Sequence, residues 1–312
     1  MNPLLLLWLV LLATFALVAL LLSGMLALLW RAGLGRVTTA PLDLLSLRLL
    51  PAAGGLLVAL TIALPAFLSY EPHREHEVPG PILIVLAAFA VVCLAHGLWR
   101  GWNACSVAQT LLRRWGLDQS RSGAHLSAVH VVDAAEPLVG VIGAWRPRVI
   151  ATESVRAACD PEEFREVLAH EAAHVAACDN LKLLLCIAAP DAVSFTPLAA
   201  TLTARWRAAA ERDADQCATG HDPHRRLALA SALIKVGRLV QKSDRPRPAL
   251  GMQVAGDDLP ARVRRLLGPP AAPLRAVILR ALAGCGLLLP LLALPRYPLL
   301  HALLEQLVGL GR

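Results

Sequence analysis

From Leu4 to Trp30 the chain carries no charged residue and is dominated by Leu, Ala and Val. Such a run is long enough to span a hydrocarbon core of about 30 Å with some tilt. Inside lipid only helices and closed barrels satisfy every backbone polar group, so the segment is expected to be a membrane helix. A cleaved signal peptide would be shorter and would carry a basic region before the apolar run. Further candidates cover about Leu49 to Tyr70, which includes Gly54, Gly55 and Pro65, about Pro81 to Trp99, and about Ala276 to Leu294. Arg280 sits near the start of the last, where its side chain can snorkel. Trp8, Trp30, Tyr70, Trp99 and Tyr297 lie near the span ends, as interfacial aromatics do. The expectation is four spans: a three-helix membrane region over 1–99, a domain over 100–275, and a last helix with a short outside tail over 276–312.

Basic residues set the orientation. Arg31, Arg36 and Arg48 follow the first span, and Arg100, Arg113 and Arg114 follow the third, whereas Glu71 to Glu77 is net acidic. The acidic loop and the N-terminus are therefore expected outside, and 100–275 in the cytoplasm. That stretch holds 23 basic and 18 acidic residues, so much of the net charge of +7 lies there. Positive charge near an anionic leaflet accounts for it, and no motif for direct nucleic-acid binding accompanies it. Seven scattered cysteines suggest neither a disulfide framework nor a paired-Cys metal site, and fit a reducing compartment.

The chemistry-bearing motif is His170-Glu171-Ala172-Ala173-His174. Residues four apart share a helix face about 6 Å apart along the axis, so His170 and His174 can bind one Zn²⁺ together. Glu171, one step round, is placed as general base on a water. Asp160-Pro161-Glu162-Glu163 predicts the helix start, with Asp160 as N-cap and Glu163 closing a capping box. A catalytic zinc needs a third protein ligand and an open fourth position. No histidine follows in the adjacent sequence, Val175-Ala176-Ala177-Cys178. The Ala-rich run from Trp206 to Asp215 supplies Glu211 as third ligand, with Asp215 on the same face to orient a ligand histidine through its other ring nitrogen. A solvated helix face with Arg207 paired to Glu211 is the plainer alternative.

Within 100–275, His130 to Val132, Leu138 to Ile142 and Arg148 to Ala151 predict short strands. Such a sheet would offer an edge on which an extended peptide can pair. Leu181 to Leu202 is apolar but interrupted by Lys182, Pro190, Asp191 and Pro197. A full span there would separate Glu211 from His170 across the bilayer, so a membrane-dipping or core segment is expected. Arg245 to Pro248 predicts a linker, and Gly268 to Pro273 the approach to the last span. For an oxyanion donor the candidates are His221, His224 and Arg225, since Tyr70 and Tyr297 fall on the far side of the membrane.

Taken together, the motifs resemble the membrane zinc metallopeptidases of the β-lactam sensor-transducer (BlaR/MecR-like) type. The similarity covers about Pro137 to Leu267. It rests on Pro137 to Val141 with Arg146 to Ile150, Leu168 to His174 with Asp179, Pro197, Trp206, and Glu211 to Asp215. Leu259 to Leu267, with Arg262 and Arg265, is similar to that family's closing basic helix. The resemblance implies a mainly α membrane protein with an α+β zincin-like (gluzincin) domain inserted between spans three and four. It implies one zinc per chain held by His170, His174 and Glu211, with Glu171 as catalytic base and Asp215 behind the ligands. It further implies a multi-pass protein of a bacterial-type inner membrane, with its active site on the cytoplasmic side. The activity expected is metalloendopeptidase cleavage of a cytoplasmic protein, such as a transcriptional repressor in a signalling pathway. A membrane quality-control protease and a non-catalytic scaffold are the alternatives, and homo-oligomerisation is left open. In β-lactam-sensing members a penicillin-binding domain follows the last span. Arg296 to Arg312 holds no counterpart, so direct antibiotic sensing is not expected.

Overall fold

The first helix starts where its sequence permits. Asn2 Oδ1 accepts from the Leu4 N–H at 2.9 Å, and Pro3 fills the first helical position, whose N–H would otherwise be unpaired. α1 (Pro3–Leu29) then runs through a π turn (Trp30–Leu34) into α2 (Gly35–Val37). α3 (Pro41–Val58) continues through a second π turn (Ala59–Ala63) into α4 (Leu64–Tyr70), and α5 (Pro81–Arg114) follows. This computed structural model describes residues 2–70, 79–117, 129–134, 136–220, 222–241, 252–253 and 259–269. Among them, three helical stretches are long and apolar enough to cross a membrane: Pro3–Leu34, Pro41–Ser69 and Pro81–Arg114. Leu21, Leu28, Leu56, Val85 and Leu98 remain exposed on these helices, as a lipid-facing surface requires. The acidic loop, the 245–248 linker and the fourth expected span at about 276–294 lie outside the described residues.

The chain forms two compact units. The first gathers Met1–Arg100 with Cys186–Ala204. Its inner faces are made of small residues and a few large ones: Ala13, Ala16, Ala59 and Ala90 let the helices approach, while Phe15 and Phe67 fill the gaps. The 186–204 segment is a hairpin, not a span. α8 (Asp179–Ala188) stops at Pro190, a short 3₁₀ turn (Ala192–Phe195) follows, and α9 (Pro197–Thr219) begins at the next proline.

What fixes this hairpin is a buried ion pair. Arg48, read from the sequence as part of the loop after span one, instead lies within α3 and is fully buried. Its Nη1 donates to Asp191 Oδ2 at 2.9 Å and its Nη2 to Ser194 Oγ at 2.8 Å. Asp191 also caps the 3₁₀ turn by accepting from the Ser194 N–H at 3.1 Å, and Ser194 Oγ donates to Ala189 O at 2.7 Å. The close approach of α5 helps: a Cβ on Gly97 would sit 2.4 Å from Ala188 O. Breaking one half of a buried pair leaves an uncompensated charge. Asp191→Ala should therefore destabilise the solubilised protein by on the order of 3–5 kcal/mol. Arg48→Met combined with Asp191→Leu should recover most of that loss, both read as thermal midpoints. Equal midpoints for the single and double variants would show that the pair carries no such cost.

The second unit gathers Gly101–Leu185 with Arg205–Leu274. β1 (His130–Val132) pairs parallel with β3 (Arg148–Thr152), β2 (Val139–Ile142) pairs antiparallel with β3, and β4 (Met252–Gln253) pairs antiparallel with β2. The strand order is β1-β3-β2-β4, with β1 and β4 at the edges. β2 and β3 read as continuous Val/Ile runs because nearly all their residues are buried. After the short α6 (Glu153–Ala158) comes α7 (Pro161–Ala176), followed by α8, α9, α10 (Pro223–Gln241) and α11 (Leu259–Leu267). One core joins them: Val139 and Ala151 from the sheet, Val167 from α7, Leu229, Leu233 and Val236 from α10, and Leu266 from α11.

α7 starts as its sequence predicts, with Asp160 Oδ1 accepting from the N–H groups of Glu162 and Glu163, and Glu163 Oε2 accepting from the Asp160 N–H. Glu163 does more than close the box. It accepts from Ser231 Oγ and Lys235 Nζ, both at 2.5 Å, tying α7 to α10. Burial opposes its ionised form, but Lys235, Ser231 and the backbone N–H outweigh it and hold the carboxyl below the ordinary value of 4.5. A depressed carboxyl contributes stability above that value and loses it as pH falls through the folded one. Glu163→Gln should thus lower the midpoint at neutral pH, and its deficit against the native chain should shrink in acid. An undiminished deficit in acid would assign the effect to packing instead.

Candidate metal centre

Capping at Asp160 sets the phase of α7, and that phase turns His170, Glu171 and His174 inward, with 1%, 0% and 2% of their surface exposed. The two imidazoles stand nearly perpendicular, at 88°, with their Nε2 atoms 3.1 Å apart. α9 brings the third group. Glu211 Oε2 lies 3.3 Å from His170 Nε2, and its Oε1 lies 3.7 Å from His174 Nε2. His170, His174 and Glu211 thus form a group that could hold a metal ion, with one ligand atom from each lying within 4.8 Å of the others.

These distances suit zinc. Ligand atoms at roughly 2.0–2.1 Å from a tetrahedral ion stand about 3.3 Å from one another. Two histidines and one glutamate also make the three-ligand set of catalytic zinc sites, which keep a fourth position open, rather than the four-ligand set of structural ones. Both oxygens of Glu171 are buried without a hydrogen-bond partner among the described residues. Buried carboxylate oxygens left in that state call for a cation or a water.

Each histidine turns its other ring nitrogen to a carboxylate, the arrangement that orients metal-binding imidazoles. Asp215, one turn after Glu211, places Oδ1 at 3.1 Å from His170 Nδ1, within ion-pair range though off the line of an ideal hydrogen bond. The partner of His174 is Asp179, with Oδ2 at 2.8 Å from Nδ1. In the sequence Asp179 entered only among the residues of the resemblance, with no role assigned; five residues on in a continuous helix it would point about 140° away from His174. The chain instead breaks at Cys178, whose φ of 55° is the left-handed conformation, and α8 restarts at Asp179. Asn180 pins that restart by donating from Nδ2 to Val141 O at 2.9 Å and Gly143 O at 3.0 Å. Lys182 Nζ, 3.2 Å from Asp179 Oδ1, steadies the other oxygen.

Charge is balanced inside the cluster. Burial opposes an imidazolium at His174, but Asp179 and Glu211 outweigh it and raise its pKa to about 10. Burial also works against ionisation of Glu211. The Arg262 guanidinium and the two imidazoles overcome it and hold that carboxyl well below its ordinary range. For Glu171 burial prevails: its carboxyl is raised above the ordinary value, against the pull of His170 and His174.

Arg262 of α11 was expected only as part of a basic helix, yet its Nη1 is 2.6 Å from Glu211 Oε2. Glu211 is 13% exposed, so it does not lie on a solvated helix face, as the plainer alternative supposes. Of the residues considered as oxyanion donors, Arg225 donates from Nε to Glu166 Oε1 at 3.0 Å, His224 is exposed, and His221 lies outside the described residues.

No protein-family model matches this chain, and no curated protein is significantly similar to it. The site is therefore read from its own geometry. Asp179→Asn, which removes the charge that holds His174, should weaken metal binding at this group by about 10–100-fold. Competition with a chromophoric chelator checks this, and undiminished affinity would show that the Asp179 contact does not orient the ligand.

Proposed function

We propose that this protein is an integral-membrane zinc-dependent metalloendopeptidase that cleaves a cytoplasmic protein, such as a transcriptional repressor in a signalling pathway. One observation carries the reading. His170, His174 and Glu211 converge at zinc-ligand spacing, and the neighbouring Glu171 presents two buried carboxylate oxygens without a hydrogen-bond partner. Three helices long and apolar enough to cross a membrane support the membrane part. Arg31 and Arg36 after the first span, and Arg113 and Arg114 at the end of α5, support an active site on the cytoplasmic side.

In this reading His170, His174 and Glu211 hold the ion. Bound zinc supplies Lewis acidity, acidifying a water and polarising the scissile carbonyl. Glu171 accepts the proton as the water oxygen bonds to the carbonyl carbon, then delivers it to the departing amine as the C–N bond breaks. A carboxyl raised by burial is suited to both halves of that transfer. Asp215 and Asp179 keep the two imidazoles aimed at the ion from behind.

The test separates binding from chemistry. Purified full-length protein should hold about one zinc per chain, and His170→Ala or Glu211→Ala should lose it. Glu171→Gln should keep the metal and lose peptide hydrolysis by roughly 10²–10⁴-fold. Metal content by elemental analysis and cleavage of an unstructured protein substrate are the two readouts. Hydrolysis undiminished in a zinc-loaded Glu171→Gln protein would overturn the assignment of the base. A native protein that holds no zinc would overturn the whole reading.

A further inference from the structure

Arg262 is 2% exposed, and its guanidinium faces two carboxylates of α9, Glu211 and Asp215. Nε donates to Asp215 Oδ2 at 3.0 Å and Nη2 to Asp215 Oδ1 at 2.6 Å, a two-pronged grip on one carboxylate. Nη1 is 2.6 Å from Glu211 Oε2, and Nη2 is 3.4 Å from His170 Nε2. Asp215 Oδ1 in turn faces His170 Nδ1.

We propose that Arg262 is a positioning residue of the metal centre: by gripping both oxygens of Asp215 it fixes that carboxylate on His170 Nδ1, and so keeps the Nε2 lone pair turned toward the ion. The proposal rests on the metal-centre reading of the cluster, not on the peptidase activity.

Three features favour a positioning role over simple charge balance. The first is the fork. A guanidinium matches both oxygens of a carboxylate in one plane, which an ammonium, as a point charge, cannot do. The two histidines differ in this respect, since among the described residues it is Lys182 that steadies Asp179, through one contact at 3.2 Å.

The second is how firmly Arg262 is itself held. α11 docks so closely on α10 that a Cβ on Gly237 would sit 2.5 Å from Leu259 Cδ2. Arg226 of α10 donates from Nη2 to Arg265 O and Gly268 O, at 2.7 and 2.5 Å, closing the end of α11. Leu266 is buried in the shared core. A side chain on so fixed a helix can hold another in place.

The third is a difference of sign. A cation beside a divalent ion repels it, so a guanidinium acting only as counter-charge would weaken metal binding, and its removal would strengthen it. A positioning residue acts the other way.

The test uses full-length protein in detergent micelles. Zinc affinity is read by competition with a chromophoric chelator, and ligand geometry by the visible spectrum of the cobalt(II)-loaded protein. Arg262→Lys, which keeps the charge and loses the fork, should weaken zinc binding about 10–100-fold and alter the cobalt bands. In an Asp215→Asn background the further loss on Arg262→Lys should fall to under about threefold, because the route through Asp215 is already cut. Where Arg262→Lys does not accumulate as folded protein, Asp215→Asn alone carries the test and must show a loss of the same size. Native zinc affinity in Arg262→Lys, or tighter binding, overturns the positioning role. Full additivity of the two substitutions overturns the route through Asp215, as does an Asp215→Asn protein with native affinity. A native chain that binds neither zinc nor cobalt(II) is a separate failure, that of the metal-centre reading itself.

Discussion

The second unit depends on one electrostatic compromise. Seven ionisable side chains (His170, Glu171, His174, Asp179, Glu211, Asp215 and Arg262) meet where almost no water reaches. Burying so many charges without partners would cost several kcal/mol for each. The cost is offset because the groups pair: Asp179 with His174, Asp215 with Arg262 and His170, Glu211 with Arg262 and both imidazoles. Among the described residues both carboxylate oxygens of Glu171 lack a hydrogen-bond partner, and Glu171 is the group the proposed chemistry uses. Burial that would be a defect elsewhere is here what sets its proton affinity.

The scaffold can hold this cluster because its supports come from separate parts of the chain. The Asp160 box fixes the phase of α7, Asn180 fastens α8 to the end of β2, and Arg226 fastens α11 to α10. Glu163 joins α7 to α10 from the opposite end. The histidines are thus set by helix periodicity, whereas their carboxylate partners are set by long-range packing.

That division explains what could be read in the sequence. Local signals announced the Asp160 cap, the His170/His174 pair, the Glu211/Asp215 face and the three strands, because each is a matter of spacing within a few residues. The role of Asp179 was hidden by the left-handed turn at Cys178, which no glycine or asparagine marks. Arg262 was hidden by distance: it lies 47 residues from Asp215, with no periodic pattern joining them. Arg48 was misread for the same reason. Its partner is 143 residues away, so on local evidence it looked like one more basic residue beside a span.

That separation has a consequence for how the chain is made. Arg48 belongs to a helix long and apolar enough to cross a membrane, and it is made well before Asp191 exists. At a synthesis rate of about 5–20 residues per second, the ribosome needs roughly 7–30 s to reach it. For that interval the arginine is without its carboxylate, and an unpaired charge at the centre of a membrane helix costs about 2.5–3.5 kcal/mol on insertion scales, less toward an end such as the one Arg48 occupies. The hairpin at 186–204 is then the late-arriving part that turns a tolerated charge into a tie.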